Sequence, residues 1–172
     1  MEQRIVLCDP DRLKDLFEFR ARVWIGEGVD PLAFPDGAWS DAADAHRIHW
    51  TVLDDRRIVG AASTCFHATL AEVEEPEAYI LLPTPPAGVI AVPARVVVDP
   101  AYRGRGIAAA LLDTQDQAAR DAGAGLAVRQ ASPAMARILE RRGWRDHGPA
   151  PADPRFPTTA FRVMSLLLDG AL

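Results

Sequence analysis

The sequence predicts a mixed α/β domain, and three observations carry that expectation. Short β-branched runs bounded by turn residues read as strands, as at Arg95-Val96-Val97-Val98 before Asp99-Pro100. Apolar residues recurring at helical spacing read as helices, as at Leu13, Leu16, Phe17 and Trp24, and again at Ile107, Leu111, Leu112, Ala118 and Ala119. The two kinds alternate in the order β-α-(α)-β-β-(loop)-β-α-β-α-β-β, with no internal repeat and no flexible linker. A chain of 172 residues suits one domain, taken as 1–172.

Each element has a local cause. Arg4 to Cys8 is a strand, and Asp9-Pro10 starts a helix with a carboxylate cap and a proline in the first turn. That helix runs to the mid-twenties, where Gly26 and Gly28 stop it. Residues 26 to 45 are rich in Gly, Pro and Asp and fit either a loop or a broken helix. His49 to Leu53 and Ile58 to Phe66 form a hairpin across Asp54-Asp55-Arg56-Arg57, with Gly60 a weak point in the return strand. Residues 68 to 75 fit a short helix, and Leu82 to Gly88 is a proline-rich surface loop. Val89 to Val98 follows as strand, broken by Pro93. Beyond the helix that ends near Gly123, Ala124 to Val128 is a short buried strand. Ser132-Pro133 caps and opens a helix that Gly143 ends. Trp144 to His147 and Ala160 to Leu168 are the last strand candidates.

Composition bounds function. Hydrophobic residues make up 49% and charged residues 25%, so a real core is expected. The formal net charge of −5 argues against a nucleic-acid partner. Cys8 and Cys65 make neither a metal pattern nor a disulfide framework, so no metal is expected. Neither a signal peptide nor a membrane span is visible, and the expectation is a cytoplasmic protein with no membrane partner, monomeric or homodimeric.

The strongest motif is Arg103-Gly104-Arg105-Gly106-Ile107-Ala108, between the Val96-Val97-Val98 strand and a helix. A helix N-terminus offers unpaired backbone N–H groups and partial positive charge, a ready anion site. Gly104 and Gly106 let the backbone approach a phosphate closely, and Arg103 and Arg105 add forked donors. The segment lacks the Gly-Lys-Ser/Thr ending of a nucleoside-triphosphate loop and the three-glycine dinucleotide fingerprint. A glycine-bearing turn with solvated arginines is the structural alternative.

Val96 through Ala108 resembles the acyl-CoA-binding motif of the GNAT superfamily of N-acetyltransferases, with Arg103, Gly106 and Ala108 at its defining positions. Ser132-Pro133 through Leu139-Glu140-Arg141-Arg142-Gly143-Trp144 is similar to the family's next helix, which usually ends in Tyr-Glu-Lys-x-Gly-Phe. The resemblance is specific over about residues 95 to 144. It implies a mostly antiparallel mixed sheet, flanked by helices, whose central strands splay. It also implies acetyl-CoA or another acyl-CoA as co-substrate, with pantetheine pairing to the backbone of Val96 and Val98 and pyrophosphate on Arg103 to Ala108. The activity implied is an N-acyltransferase in which a small-molecule or amino-acid-like primary amine attacks the thioester directly. That amine must first lose its proton, and backbone N–H groups must meet the developing oxyanion.

Catalytic side chains are not evident. The position of the family's thiolate-protonating tyrosine is Leu139, which cannot donate a proton. Ser132 is a candidate contact to pantetheine or thiol, although its role as a helix cap is sufficient in itself. His49 and His67 flank strands and are candidate bases; His46 is the remaining histidine of this region. Glu72, Glu74, Glu75 and Glu77 read as a solvated acidic stretch. Arg20 and Trp24 lie on the inner face of their helix, and Arg20 fits either an ion pair with Asp41 or Asp44 or a substrate contact. Arg20 to Trp24, with Trp39, Asp41 and Asp44, also resembles the N-terminal half of autoinducer-synthase-like GNAT members, which acylate amino-acid-derived amines. Arg137, Arg141, Arg142 and Arg145 read as a solvated face, with the 3′-phosphate of coenzyme A as the other use. A non-catalytic acyl-CoA sensor and a longer-chain acyltransferase are the alternative functions.

Overall fold

The computed structural model describes residues 4–83 and 88–168. Thr84 to Ala87 of the expected proline-rich loop lie outside them, as do the first three and last four residues. The strands are β1 (Arg4–Leu7), β2 (Ile48–Asp54), β3 (Arg57–His67), β4 (Val89–Val98), β5 (Ala124–Ala131), β6 (Arg145–Pro149) and β7 (Arg162–Leu167). The helices are α1 (Leu13–Gly26), α2 (Ile107–Asp121) and α3 (Pro133–Arg141). The strands form one mixed sheet in the order β1-β2-β3-β4-β5-β7-β6. The pairs β1/β2, β2/β3, β5/β7 and β6/β7 are antiparallel, and β4/β5 is parallel. The last strand therefore enters between β5 and β6, a crossover that strand order along the sequence does not reveal.

By its contacts the chain divides into two compact units, Met1–Thr64 with Arg95–Gln115, and Cys65–Ala94 with Asp116–Leu172. In the first, Leu16, Phe19 and Val23 of α1 pack with Ile58, Ala61 and Val97. The neighbouring residue Gly60 faces the other way, since side chains alternate along a strand. A Cβ built there would stand 2.9 Å from Ile107 Cγ2 and 3.1 Å from Val52 Cγ2. Gly60 is thus no weak point of β3. Its missing side chain is what lets the first residue of α2 lie against the strand. In the second unit, Cys65, Val73, Tyr79, Ile90, Val92, Leu126, Val128 and Val163 form the core, and α3 packs on β5, β6 and β7.

Several elements differ from the sequence expectation. Residues 10–12 wind as a 3₁₀ turn capped by Asp9, whose carboxylate accepts the Asp11 N–H at 3.0 Å, before α1 begins. The ambiguous stretch after α1 is neither open loop nor broken α-helix but three 3₁₀ turns, Pro31–Ala33, Pro35–Gly37 and Ala42–His46. Residues 68 to 75 hold no α-helix; 3₁₀ turns form at Leu70–Glu72 and Pro76–Tyr79. Pro93 does not break β4. It lies two residues past Ala91, the last residue of β4 in the described β4/β5 register, and β4 runs on to Val98. Among the described residues no helix is long and apolar enough to cross a membrane.

Candidate functional site

The Arg103–Ala108 segment is built by the strand that precedes it and the helix that follows. β4 ends at Val98, and the Asp99 N–H donates to the Val59 carbonyl at 2.9 Å, fixing the exit against β3. The Asp99 carboxylate accepts the Ala101 N–H at 3.0 Å, capping a 3₁₀ turn at Pro100–Tyr102, and takes an ion pair from Arg57 at 2.7 Å. Gly104 and Gly106 then adopt φ of 76° and 79°, the left-handed region that glycine enters without steric cost. A Cβ at either position would meet nothing within 4 Å, so backbone conformation demands glycine here and crowding does not. The first intrahelical bond of α2 runs from the Ala110 N–H to the Gly106 carbonyl at 3.0 Å, so the Ile107, Ala108 and Ala109 amides precede the ladder. Buried Ile107 anchors this turn while residues 103–106 are exposed.

The two arginines are held but available. Arg103 donates from Nε to the Val98 carbonyl at 3.3 Å, and its guanidinium pairs with Glu27. Arg105 donates to the Ala101 carbonyl at 3.2 Å and stacks 4.8 Å above the Tyr102 ring. Tyr102 donates to Asp54 at 2.5 Å, and that bond raises its phenol pKa. Amides without helical acceptors, a helix N-terminus and two half-exposed guanidiniums make a surface able to bind a diphosphate.

Arg20 is fully buried and belongs to a different arrangement. Its Nη1 donates to Asp44 Oδ1 at 2.9 Å and its Nη2 donates to His49 Nδ1 at 3.0 Å. An arginine can only donate, so Nδ1 is the acceptor, and the remaining proton sits on Nε2. That Nε2–H donates to the Asp44 carbonyl at 3.0 Å. His49 is therefore neutral, in keeping with burial pushing its pKa below the ordinary 6.5. Burial likewise pushes Arg20 down to about 10, with Asp44 opposing the shift, and it stays charged at neutral pH. Asp44 also accepts the Asp41 N–H at 3.0 Å, closing a capping box over the Ala42–His46 turn.

Arg95 joins the same network from β4. Its Nη2 donates to Asp41 Oδ2 at 2.6 Å, its Nη1 lies 3.6 Å from Asp44 Oδ2, and its guanidinium sits 5.0 Å above the Trp39 ring. Trp39 in turn meets Trp24 edge-on at 6.0 Å and Phe34 at 5.9 Å. The structure thus brings Arg20, His49 and Asp44 together, and Trp24 with Trp39. Arg95 was visible in the sequence only as the head of a strand. Its side chain has the partners of a network member, and its φ is 58°.

The other candidates lie in the second unit. His67 Nε2 is 3.3 Å from Cys65 Sγ. Ser132 Oγ accepts the Met135 N–H at 3.3 Å, the geometry of a helix cap. Leu139 is fully buried. Glu72 accepts the Ala68 and Thr69 N–H groups, and Gln130 donates to Glu75 at 2.6 Å, so the acidic stretch is partly tied into structure. Arg137, Arg141 and Arg145 are exposed, whereas Arg142 pairs with Asp116 at 2.8 Å. Among the described residues no group of three His, Cys, Asp or Glu side chains could hold a metal ion.

Comparison with known proteins bears on this geometry. No curated protein matches the sequence significantly. In solved structures the fold is similar to that of a CoA-dependent acyl-homoserine lactone synthase, BjaI, with SAM and isopentyl-CoA: TM-score 0.73, 16% identity, 99% of this chain and 86% of that one. It is also similar to the AHL synthase LasI, with TM-score 0.72, 13% identity, and coverage of 98% and 92%. An acetyltransferase of GNAT family from Staphylococcus aureus MU50 gives TM-score 0.67, 14% identity, and coverage of 98% and 100%. At these identities the likeness is one of fold. Residues 13–144 match the sequence profile of the Acetyltransferase (GNAT) family, and the chain belongs to that family.

Proposed function

We propose that the protein is an acyl-CoA-dependent N-acyltransferase whose co-substrate is held along β4 and on the Arg103–Ala108 turn. The observation that carries this reading is the turn itself. Two glycines in the left-handed region lead into the first amides of α2, and Arg103 to Gly106 are exposed. In this reading those amides, with Arg103 and Arg105, bind the pyrophosphate. The backbone of Val96 and Val98 pairs with pantetheine like an added strand, so its affinity comes from main-chain hydrogen bonds. Val97, whose side chain belongs to the core, anchors that stretch. Backbone N–H groups near residue 96 face the thioester oxygen and stabilise the oxyanion as a primary amine attacks. Proximity of amine and thioester supplies much of the remaining acceleration.

Proton transfer receives little help from dedicated side chains. Both ring nitrogens of His49 are engaged in the buried network, and Leu139 has no proton to give. His67 stands as the side-chain candidate, with water the remaining route, while Ser132 is read as the cap of α3. The acceptor is read as a small-molecule or amino-acid-like amine. A second reading, a longer acyl donor and an amino-acid-derived acceptor, is favoured by the Arg20–Asp44–Arg95 network with Trp24 and Trp39 and by the fold likeness to the two homoserine lactone synthases.

A thiol-release assay separates the readings. Acetyl-CoA and a short branched acyl-CoA are each offered with a panel of amines that includes amino acids and SAM. Release that depends on the amine supports acyl transfer, and the preferred thioester chooses between acetyl and longer chains. Tight acyl-CoA binding without release across the panel supports a non-catalytic sensor. Absence of binding overturns the reading.

A further inference from the structure

Arg95 is a non-glycine residue with φ of 58° inside an otherwise extended strand. Left-handed backbone is sterically unfavourable for an L-residue, and such residues persist where surrounding contacts over-determine them. The side chain is held from three sides. The side chain is 6% exposed, bonded to Asp41 at 2.6 Å, 3.6 Å from Asp44 and stacked over Trp39. Each partner is itself fixed. Asp41 accepts the Ala43 N–H at 3.1 Å, Asp44 holds Arg20, and the Trp39 N–H donates to the Phe17 carbonyl at 2.9 Å. A single left-handed residue bends a strand and re-aims the amide that follows it.

We propose that Arg95 is a positioning residue: its side chain, gripped by Asp41, Asp44 and Trp39, holds residue 95 in the left-handed conformation that aims the Val96 N–H at the thioester carbonyl. This rests on the acyl-CoA reading above and extends it. The residues that follow α1 then set the geometry of the thioester site through the backbone of β4, and the guanidinium touches neither acyl donor nor acceptor. Ion pairing that would merely stabilise the fold does not require residue 95 to leave the extended region.

Comparing Arg95→Gly with Arg95→Ala isolates the backbone role. Both variants lose the same side-chain contacts, but only glycine enters the left-handed region freely. The readout is the infrared carbonyl stretch of isotope-labelled acetyl-CoA bound to each protein, which reports the polarising N–H without needing the acceptor. Wild type lowers the stretch on binding, Arg95→Gly keeps most of that shift, and Arg95→Ala loses most of it. Where an acceptor is in hand, kcat of Arg95→Ala falls roughly tenfold below that of Arg95→Gly, with acceptor KM equal in the two. Equal carbonyl shifts in the two variants overturn the proposal, as does an acceptor KM that rises alike in both, which assigns the guanidinium to substrate. If neither variant folds, Asp41→Asn decides: a weakened shift supports the lock and an unchanged shift overturns it. Failure of wild type to bind acetyl-CoA at all overturns the acyl-CoA reading itself, whereas binding with indifferent carbonyl shifts overturns only the role of Arg95.

Discussion

Residues 103–108 and the Arg20–Asp44–Arg95 network both bring two arginines together, and they do so by opposite means. Residues 103–106 of the turn are exposed, two of them glycines and two arginines. The network is buried, built on long side chains, and pairs its arginines with carboxylates of the same chain. In the proposed function, the turn receives an anion from outside. The network ties a helix, two strands and a 3₁₀ turn together. The contrast teaches that an arginine's role follows from what its donors already hold, since a guanidinium spent on buried carboxylates has little left for a ligand.

The contrast breaks first, and by the largest margin, at Asp44. Asp44→Ala strands Arg20 in the interior and loosens Arg95, and unfolding in urea should show a loss of about 3–5 kcal/mol. A loss below about 1 kcal/mol contradicts an interior network, since that is the range of exposed pairs. Next comes Gly106→Val. A branched side chain at φ of 79° carries about 1–3 kcal/mol of strain, which the exposed turn relieves by leaving its present shape. Coenzyme A affinity, measured by titration calorimetry, should fall roughly tenfold or more while the fold survives. Undiminished affinity would place the diphosphate elsewhere.

The pH dependence sharpens the buried side. His49 and His147 both have folded pKa values depressed below 6.5, chiefly by burial. Above 6.5 neither state is protonated and stability is unaffected. As pH falls below 6.5, the unfolded chain takes up protons that the folded chain refuses, so stability declines by at most about 1.4 kcal/mol per pH unit for each histidine. Chemical unfolding at stepped pH should show this decline, and His49→Gln should make it shallower. The smallest effect concerns Ser132, a cap by its geometry. Ser132→Ala should cost about 1 kcal/mol of stability and leave kcat unchanged. A large fall in kcat at unchanged stability makes Ser132 part of the chemistry.

The turn was legible in the sequence because its requirements are local. Glycines, flanking arginines, a β-branched strand before and an apolar stripe after are all neighbours along the chain. The helices and most strands were legible for the same reason. The network was legible only in part. Helical spacing placed Arg20 inside and offered Asp41 or Asp44 as its partner, but nothing local pointed to His49 or Arg95, which arrive through β2 and β4. Gly60 looked like a defect because the residue it accommodates, Ile107, is distant in sequence. The insertion of β7 between β5 and β6 was hidden likewise, since strand order in space is not written in strand order along the chain. The 3₁₀ turns after α1 escaped because each rests on a short cap and a proline, which loops also use.

We propose that the Arg103–Ala108 turn binds the pyrophosphate of an acyl-CoA, and a crystal structure with acetyl-CoA decides it. Pyrophosphate oxygens are expected within hydrogen-bond distance of the backbone amides at the start of α2, with the Arg103 guanidinium turned from Glu27 toward them. Acetyl-CoA bound with its pyrophosphate away from these amides, and Arg103 still on Glu27, would contradict it.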